Sequence, residues 1–417
     1  MKSNKIDILI IFIVSFFLYS GYYVGLMFFY NARIPEISRL YSIPLRLVLF
    51  VLMTYYVIKN FARLQNNKAV YLLLSLFSFL YIVKVIYTAS IGASTAKSWY
   101  EYIFFYLSYA LMPFLFYSAV NFIRYKSIIL NALIFSGFLL GIYTIYTFGA
   151  VLSSGGVGRL SMLTYETGEA VISPLALAYS GAITILLSVY RIMYEKARGI
   201  KLLYYIVTII LSFTMFFLGA TRGALLVVLL GSLAFVYFGN LKRKLIFIVL
   251  FVIAIPFIIY GVELTGSAIF DRATSTIETG DASGRELLWA EAYQEFTEYP
   301  ILGGRIEVSG VYPHNIFLEI LMATGIVGFL LFVPILIILF RGGYLLLNNS
   351  KIHFYFIPML IFIWGISQHM VTGALWSAIT LFTSLGMFNS NSASLVRFLK
   401  FTKIVKSGVV KSRKVKT

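Results

Sequence analysis

The chain has 417 residues, 60% of them hydrophobic and only 12% charged, and its mean hydropathy is +0.90. These values exclude a water-soluble globular protein, because apolar runs of roughly 18 to 25 residues recur almost from end to end; they predict a single membrane domain over 1–417. Cysteine is absent, so neither a disulfide framework nor thiolate chemistry is available, and a net charge of +18 has to be explained by nucleic acid or by membrane topology.

Apolar runs predict helices near 6–29, 41–58, 69–90, 100–122, 127–147, 170–190, 202–219, 222–239, 245–262, 314–340, 354–372 and 374–388. The first follows Lys2 and Lys5 like the basic start of a signal peptide. It is too long for one and lacks a small-residue cleavage site, so it reads as a retained helix. The expected fold is all-α, a polytopic membrane protein of about twelve transmembrane helices.

Loop charges orient these helices. Lys59, Arg63 and Lys68, then Arg124 and Lys126, then Arg191, Lys196, Arg198 and Lys201, then Lys242, Arg243 and Lys244, then Arg341 and Lys351 alternate with loops poor in lysine. The excess of Lys and Arg marks the cytoplasmic side, which puts both termini in the cytoplasm together with a basic tail at 390–417. The positive charge is thus mainly a topology signal. It disposes of nucleic acid as a partner and directs the tail toward anionic lipid head groups. The opposite, outer side carries one large loop, 263–312, and a smaller Gly- and Ser-rich one near 148–169. Chemistry is expected in or under the large loop.

Within that loop, Ser283-Gly284-Arg285-Glu286 fits a capping box, and Leu288, Trp289, Ala292, Tyr293 and Phe296 follow at helical spacing up to Pro300. A short amphipathic helix is predicted, with Arg285 in its first turn, where free N–H groups and the helix dipole favour an anion such as phosphate. A solvent-exposed arginine paired with Asp281 is the plainer alternative. Arg222 lies in Gly219-Ala220-Thr221-Arg222-Gly223, an interruption so brief that the arginine must sit at or just below the outer interface. A charge retained there is functional by default, with snorkelling to outer head groups as the alternative.

His314 follows Tyr312-Pro313 and is expected to open the tenth helix, whose positive end would keep the imidazole neutral and able to accept a proton. A hydrogen-bonding structural histidine is the other reading. Glu319, about a turn and a half deeper, is an intramembrane carboxylate expected to find an outer arginine, either beside the chemistry or in a structural ion pair. His369 is a weaker candidate at the outer end of the eleventh helix, and His353 falls on the cytoplasmic side. Arg33, Arg39, Arg46, Arg159, Arg272 and Arg305 are further outer arginines, several of which could line a cavity for a pyrophosphate. No Asp-x-Asp element or dense ligand cluster is evident, so no metal and no cofactor is expected.

Gly284-Arg285-Glu286-Leu287-Leu288-Trp289, then Pro300-Ile301-Leu302-Gly303, then His314-Asn315 and Gly325-Ile326-Val327-Gly328, preceded by Thr221-Arg222-Gly223, resemble the signature of the O-antigen ligase and polymerase family. The likeness runs from Gly219 to Gly328; elsewhere only the helix count matches. It implies a GT-C-like fold in a bacterial inner membrane, with the large loop and the active site facing the periplasm. It also implies that Arg222 and Arg285, supported by Arg305, hold the pyrophosphate of an undecaprenyl-pyrophosphate-linked oligosaccharide donor, with His314 beside the acceptor hydroxyl and Glu319, Asn315, Arg159 and His369 in support. The reaction implied is metal-independent and inverting, in lipopolysaccharide or related surface polysaccharide biosynthesis.

A polymerase takes another lipid-linked repeat unit as acceptor, a ligase takes lipid A-core, and a chain-length regulator is a further implied partner of the former. A composition rich in Phe, Tyr, Ile, Lys and Asn leans toward the polymerase. The competing class is a flippase for the same glycan. It calls for charged or broken segments near mid-membrane in several helices, for which mainly Lys84 and Glu319 qualify.

Overall fold

A computed structural model of the chain describes residues 5–34, 37–154, 158–161, 163–164, 170–279, 284–348 and 353–390. The tail from 391 onward, Asp281 and Ser283 of the expected capping box lie outside these residues, as does the Arg39 side chain.

Each predicted apolar run forms helix. The first is two helices, α1 (Lys5–Phe17) and α2 (Ser20–Asn31), bent by 67° about Leu18 and Tyr19, where the Ser20-Gly21 pair supplies the usual chemistry of a sharp kink. Next come α3 (Ile37–Lys59) and α4 (Lys68–Ser90), then α5 (Trp99–Tyr106) and α6 (Met112–Ala119), which a π turn joins into one span. They are followed by α7 (Phe122–Ser153), α8 (Pro174–Tyr194), α9 (Ile200–Gly219), α10 (Arg222–Phe238) and α11 (Leu241–Thr265). Two loop helices, α12 (Ile269–Thr279) and α13 (Glu286–Glu298), precede α14 (Ile316–Leu347), α15 (Phe356–His369) and α16 (Ile379–Asn389).

Among the described residues eight helices are long and apolar enough to cross a membrane, nine if the bent pair counts as one span; α10 and α16 are shorter apolar helices. The protein is thus an all-α, multi-pass membrane protein. Among the described residues the one departure is a two-stranded antiparallel ribbon, β1 (Leu163–Thr164) with β2 (Ala170–Ile172), in the smaller loop.

The large loop is mostly helical, and its second half is locked into α14. At Gly325 the backbone of α14 turns to φ 62° and ψ −165°, a conformation open to glycine, and the helix breaks. The segment Pro300–Gly303 fills that break: Ile326 N–H donates to Pro300 O at 2.9 Å and Gly304 N–H to Met322 O at 2.8 Å. Gly303 sits at φ 75°, and a Cβ there would overlap the backbone of Ala323 and Thr324. Two of the pieces that resemble the family signature are therefore the halves of one structural joint. It fixes the C-terminal end of α13, and with about 1.5 Å of rise per residue the 13-residue helix carries its other end roughly 20 Å away.

Candidate functional site

The site is built on the bundle end that carries α12 and α13. Arg222 is the first residue of α10; Ala220, the last cap of α9, adopts a left-handed conformation that turns the chain within two residues. Arg222 Nη2 donates to Ser275 Oγ of α12 at 3.0 Å. The segment 158–160 crosses the same end, because Leu160 N–H donates to Leu218 O at 3.0 Å and Ala268 N–H to Gly158 O at 2.7 Å.

This brings Arg159, Arg222, Arg272 and Arg285 within each other's fields. Burial and then the charges of Arg272, Arg285 and Arg222 lower the pKa of Arg159 from its ordinary value. Burial likewise lowers Arg285, with Arg222 and Arg272 adding to it and Tyr179 and Tyr312 opposing. Four guanidinium groups held together against their mutual repulsion form an anion-binding surface, whose forks match phosphate oxygens.

Arg285 is the cap residue before α13 rather than a member of its first turn. It still lies at the N-terminal, positive end of that helix. Four residues further on, Trp289 Nε1–H donates to Pro313 O at 2.8 Å and ties α13 to the strap that carries His314. A second tie is Ser309 Oγ–H to Glu291 Oε2 at 2.8 Å, from the tight turn between Val308 and Val311.

His314 precedes α14 rather than opening it. The helix is capped by Asn315, whose Oδ1 accepts from Phe317 N–H at 3.1 Å and Leu318 N–H at 3.2 Å, so Asn315 is a capping residue. His314 itself takes φ 56°, an uncommon value for a residue with a side chain and one often found at functional sites. Its Nδ1 is 3.2 Å from Thr372 O. A carbonyl only accepts, so Nδ1 carries the proton and Nε2 of the neutral ring is left with its lone pair. Burial lowers the pKa of His314, the Thr372 carbonyl opposes this, and the Arg285 charge lowers it further. The ring stacks obliquely on Tyr312 with 4.4 Å between centroids, and Tyr312 meets Trp376 edge-on at 6.2 Å. Burial and the Arg285 charge keep the imidazole neutral, and the Thr372 carbonyl, which works against them, fixes its orientation.

Two expected partnerships are different in the structure. Among the described residues Glu319, 1% exposed, pairs with no outer arginine; its Oε2 accepts from Leu375 N–H at 2.9 Å, because the 3-10 turn Leu375–Ser377 packs against the first turn of α14. Arg305 does not join the arginine group. It is committed to Glu295 on α13, through Nε at 3.0 Å, Nη2 at 2.5 Å and its backbone N–H at 2.8 Å. Burial alone would raise the Glu295 carboxyl, but these contacts and Lys84 hold it below its usual range.

That second cluster was not legible in the sequence. Lys84 Nζ donates to Gly303 O at 2.7 Å, and the buried carboxylate of Glu307 accepts from Tyr102 O–H at 2.5 Å and Ala96 N–H at 2.8 Å. It straps the segment 303–307 to α4 and α5. A lysine inside an apolar run was the visible signal, but its partner is 219 residues away.

His369 is 1% exposed and lines a cavity of about 110 Å³ between the α1–α2 break, α8, α15 and α16. Trp364 Nε1, Gln368 Oε1, His369 Nδ1 and Thr380 Oγ1, all at that cavity, have no hydrogen-bond partner among the described residues. His369 is thus set apart from His314, although Gln368 O accepts the Thr372 N–H at 2.7 Å and so positions the carbonyl that orients His314. Among the described residues no group of three or more His, Asp or Glu side chains could hold a metal ion.

Fold and site together define a multi-pass α-helical membrane protein with four mutually coupled arginines and a neutral, tautomer-fixed histidine at one end of its bundle. Residues 207–333, from within α9 to the middle of α14, match the family model described as O-antigen ligase, and this match over about a third of the chain supports an assignment to the O-antigen ligase and polymerase family. The matched stretch contains Arg222, Arg285, His314 and Glu319, while Arg159 and His369 lie outside it. No curated protein matches the chain. The family match supports an enzyme of the O-antigen ligase or polymerase type, a membrane glycosyltransferase acting on lipid-linked glycans.

Proposed function

We propose that this protein is the polymerase of an O-antigen or related surface polysaccharide, transferring an undecaprenyl-pyrophosphate-linked glycan to a hydroxyl of a second lipid-linked repeat unit. Arg222 and Arg285, with Arg159 and Arg272 beside them, bind the donor pyrophosphate, and His314 is the general base. In the reaction the acceptor oxygen attacks the anomeric carbon from the face opposite the leaving group. The acceptor proton passes to His314 Nε2, the bond from the anomeric carbon to the pyrophosphate oxygen breaks, and undecaprenyl pyrophosphate leaves with its developing charge met by the guanidinium groups. The anomeric configuration inverts. By the positive-inside rule the site faces the periplasm from the bacterial inner membrane, with both termini in the cytoplasm.

The observation that carries this reading is the His314 tautomer: with Nδ1–H given to Thr372 O, the nitrogen left as acceptor belongs to a ring that lies within the field of a phosphate-matching arginine, Arg285. The description of the matching family favours a second reading, in which lipid A-core is the acceptor. Reconstitution with an undecaprenyl-pyrophosphate glycan separates the two. Ladder growth without lipid A-core marks a polymerase, and transfer only in its presence marks a ligase. His314→Ala abolishes product in either case while the protein still folds. Arg222→Ala and Arg285→Ala each weaken donor use severely, and Lys in their place rescues only partly. Normal turnover by His314→Ala, or normal donor binding by both arginine variants, overturns the mechanism.

A further inference from the structure

At the opposite end of the bundle lies a cleft of about 450 Å³ that the transfer reaction does not use, and from it we infer a specific binding site for an anionic phospholipid, its phosphate among Lys196, Arg198, Lys242 and Arg243 and an acyl chain along α11. The location follows from helix direction. Arg222 starts α10 and Phe238 ends it, so the cleft, which begins at Asn240 and at the loop after α8, is roughly 25 Å from the arginines of the candidate site. The volume is in the range of ligand clefts, about 300–1,000 Å³.

Three features make the cleft more than a row of basic loop residues. First, the nearest carboxylate of the α8–α9 loop, Glu195, is engaged by Arg191, and none of the four cations forms an ion pair among the described residues. Second, the cleft is organised: Arg243 is held 4.3 Å over the Tyr194 ring, and Asn240 Oδ1 accepts the Arg243 N–H at 3.0 Å, which caps α11 and aims its positive end at the same space. Third, one wall is apolar. Ile192, Ile246 and Leu250 line it, and the wall continues onto the lipid-facing side of α11, where Val249 and Ile253 are 56% and 54% exposed. A phosphate beside cations with a hydrocarbon track leading away matches a phospholipid better than a soluble phosphate, which has no use for the apolar wall.

The test is native mass spectrometry of the full chain in detergent, offered phosphatidylglycerol and phosphatidylcholine of identical acyl composition. Phosphatidylglycerol should be retained at least tenfold more, and millimolar glycerol 3-phosphate should not displace it. At about 1 kcal/mol, or roughly fivefold, per cation near an anionic head group, Lys196→Gln with Lys242→Gln should reduce that retention by roughly 25-fold. Equal retention of the two lipids overturns the inference. So does displacement of the lipid by glycerol 3-phosphate, which marks a soluble-anion site, or undiminished preference in the double variant. Should that variant fail to fold, the lipid and glycerol 3-phosphate comparisons on the wild-type chain decide by themselves.

Discussion

Trp289→Phe tests whether the strap holding His314 depends on α13. The substitution keeps an aromatic ring in the first half of the helix and removes one donor, the indole N–H that reaches Pro313 O at 2.8 Å. Pro313 is buried, so its carbonyl loses its partner out of reach of bulk water, at a cost of about 1–3 kcal/mol. The native strap bears that cost; a strap that has moved off α13 to hydrate its carbonyl does not. If the whole cost shifts that balance, the population with His314 correctly placed falls by between about 5-fold and about 150-fold. In proteoliposomes with saturating lipid-linked glycan, kcat for chain extension should fall within that range. The donor KM should change far less, because both pyrophosphate arginines are intact, and the thermal unfolding midpoint should stay close to wild type, since α13 keeps its ties at Glu291 and Glu295. Turnover within twofold of wild type would refute the coupling of α13 to His314.

The remaining predictions concern pH and the joint in α14. The role proposed for His314 needs the neutral ring, and burial and Arg285 lower its pKa from the ordinary value of about 6.5. The neutral ring is present above its lowered pKa and lost as pH falls through it, so the acid limb of activity should have its midpoint on the acid side of an ordinary histidine. Arg285→Gln removes one of the lowering causes, so the acid limb of the residual activity should move to higher pH; a limb that does not move in the variant excludes His314 as the titrating group. Gly303→Ala asks a side chain to adopt φ 75° against the α14 backbone. A left-handed alanine costs about 1–2 kcal/mol, and loosening the bonds of Ile326 N–H and Gly304 N–H adds about 0.5–1.5 kcal/mol for each. The unfolding midpoint should drop by several degrees, and an unchanged midpoint would show that Pro300–Gly303 does not brace the helix break.

Much of the fold could be read directly from the sequence. In lipid every backbone polar group must be satisfied within its own segment, so a long apolar run is a helix whatever its neighbours do. The sequence could not foresee that the first run bends at Leu18 and Tyr19, because the hydropathy of a broken helix is that of a straight one. Nor could it foresee α12, whose Asp271, Arg272, Thr274 and Thr276 interrupt the apolar pattern and read as loop.

The same division runs through the site. Arg222, Arg285 and His314 stood out in the sequence because a charge or an imidazole at a membrane interface is conspicuous against apolar neighbours. Their partners did not, because partnership is set by packing across many residues. Glu319 accepts from the Leu375 backbone rather than from an arginine, and Arg305 is drawn to Glu295 by the turn that seats Gly303 against α14. The sequence by itself determined which segments lie in the membrane and which residues could carry chemistry, since both follow from the cost of placing polar groups in hydrocarbon. Only the tertiary structure decided which nitrogen of His314 keeps its lone pair and which four arginines come within each other's fields, because those depend on the Thr372 carbonyl and the α12 and α13 helices, which the fold brings to one end of the bundle.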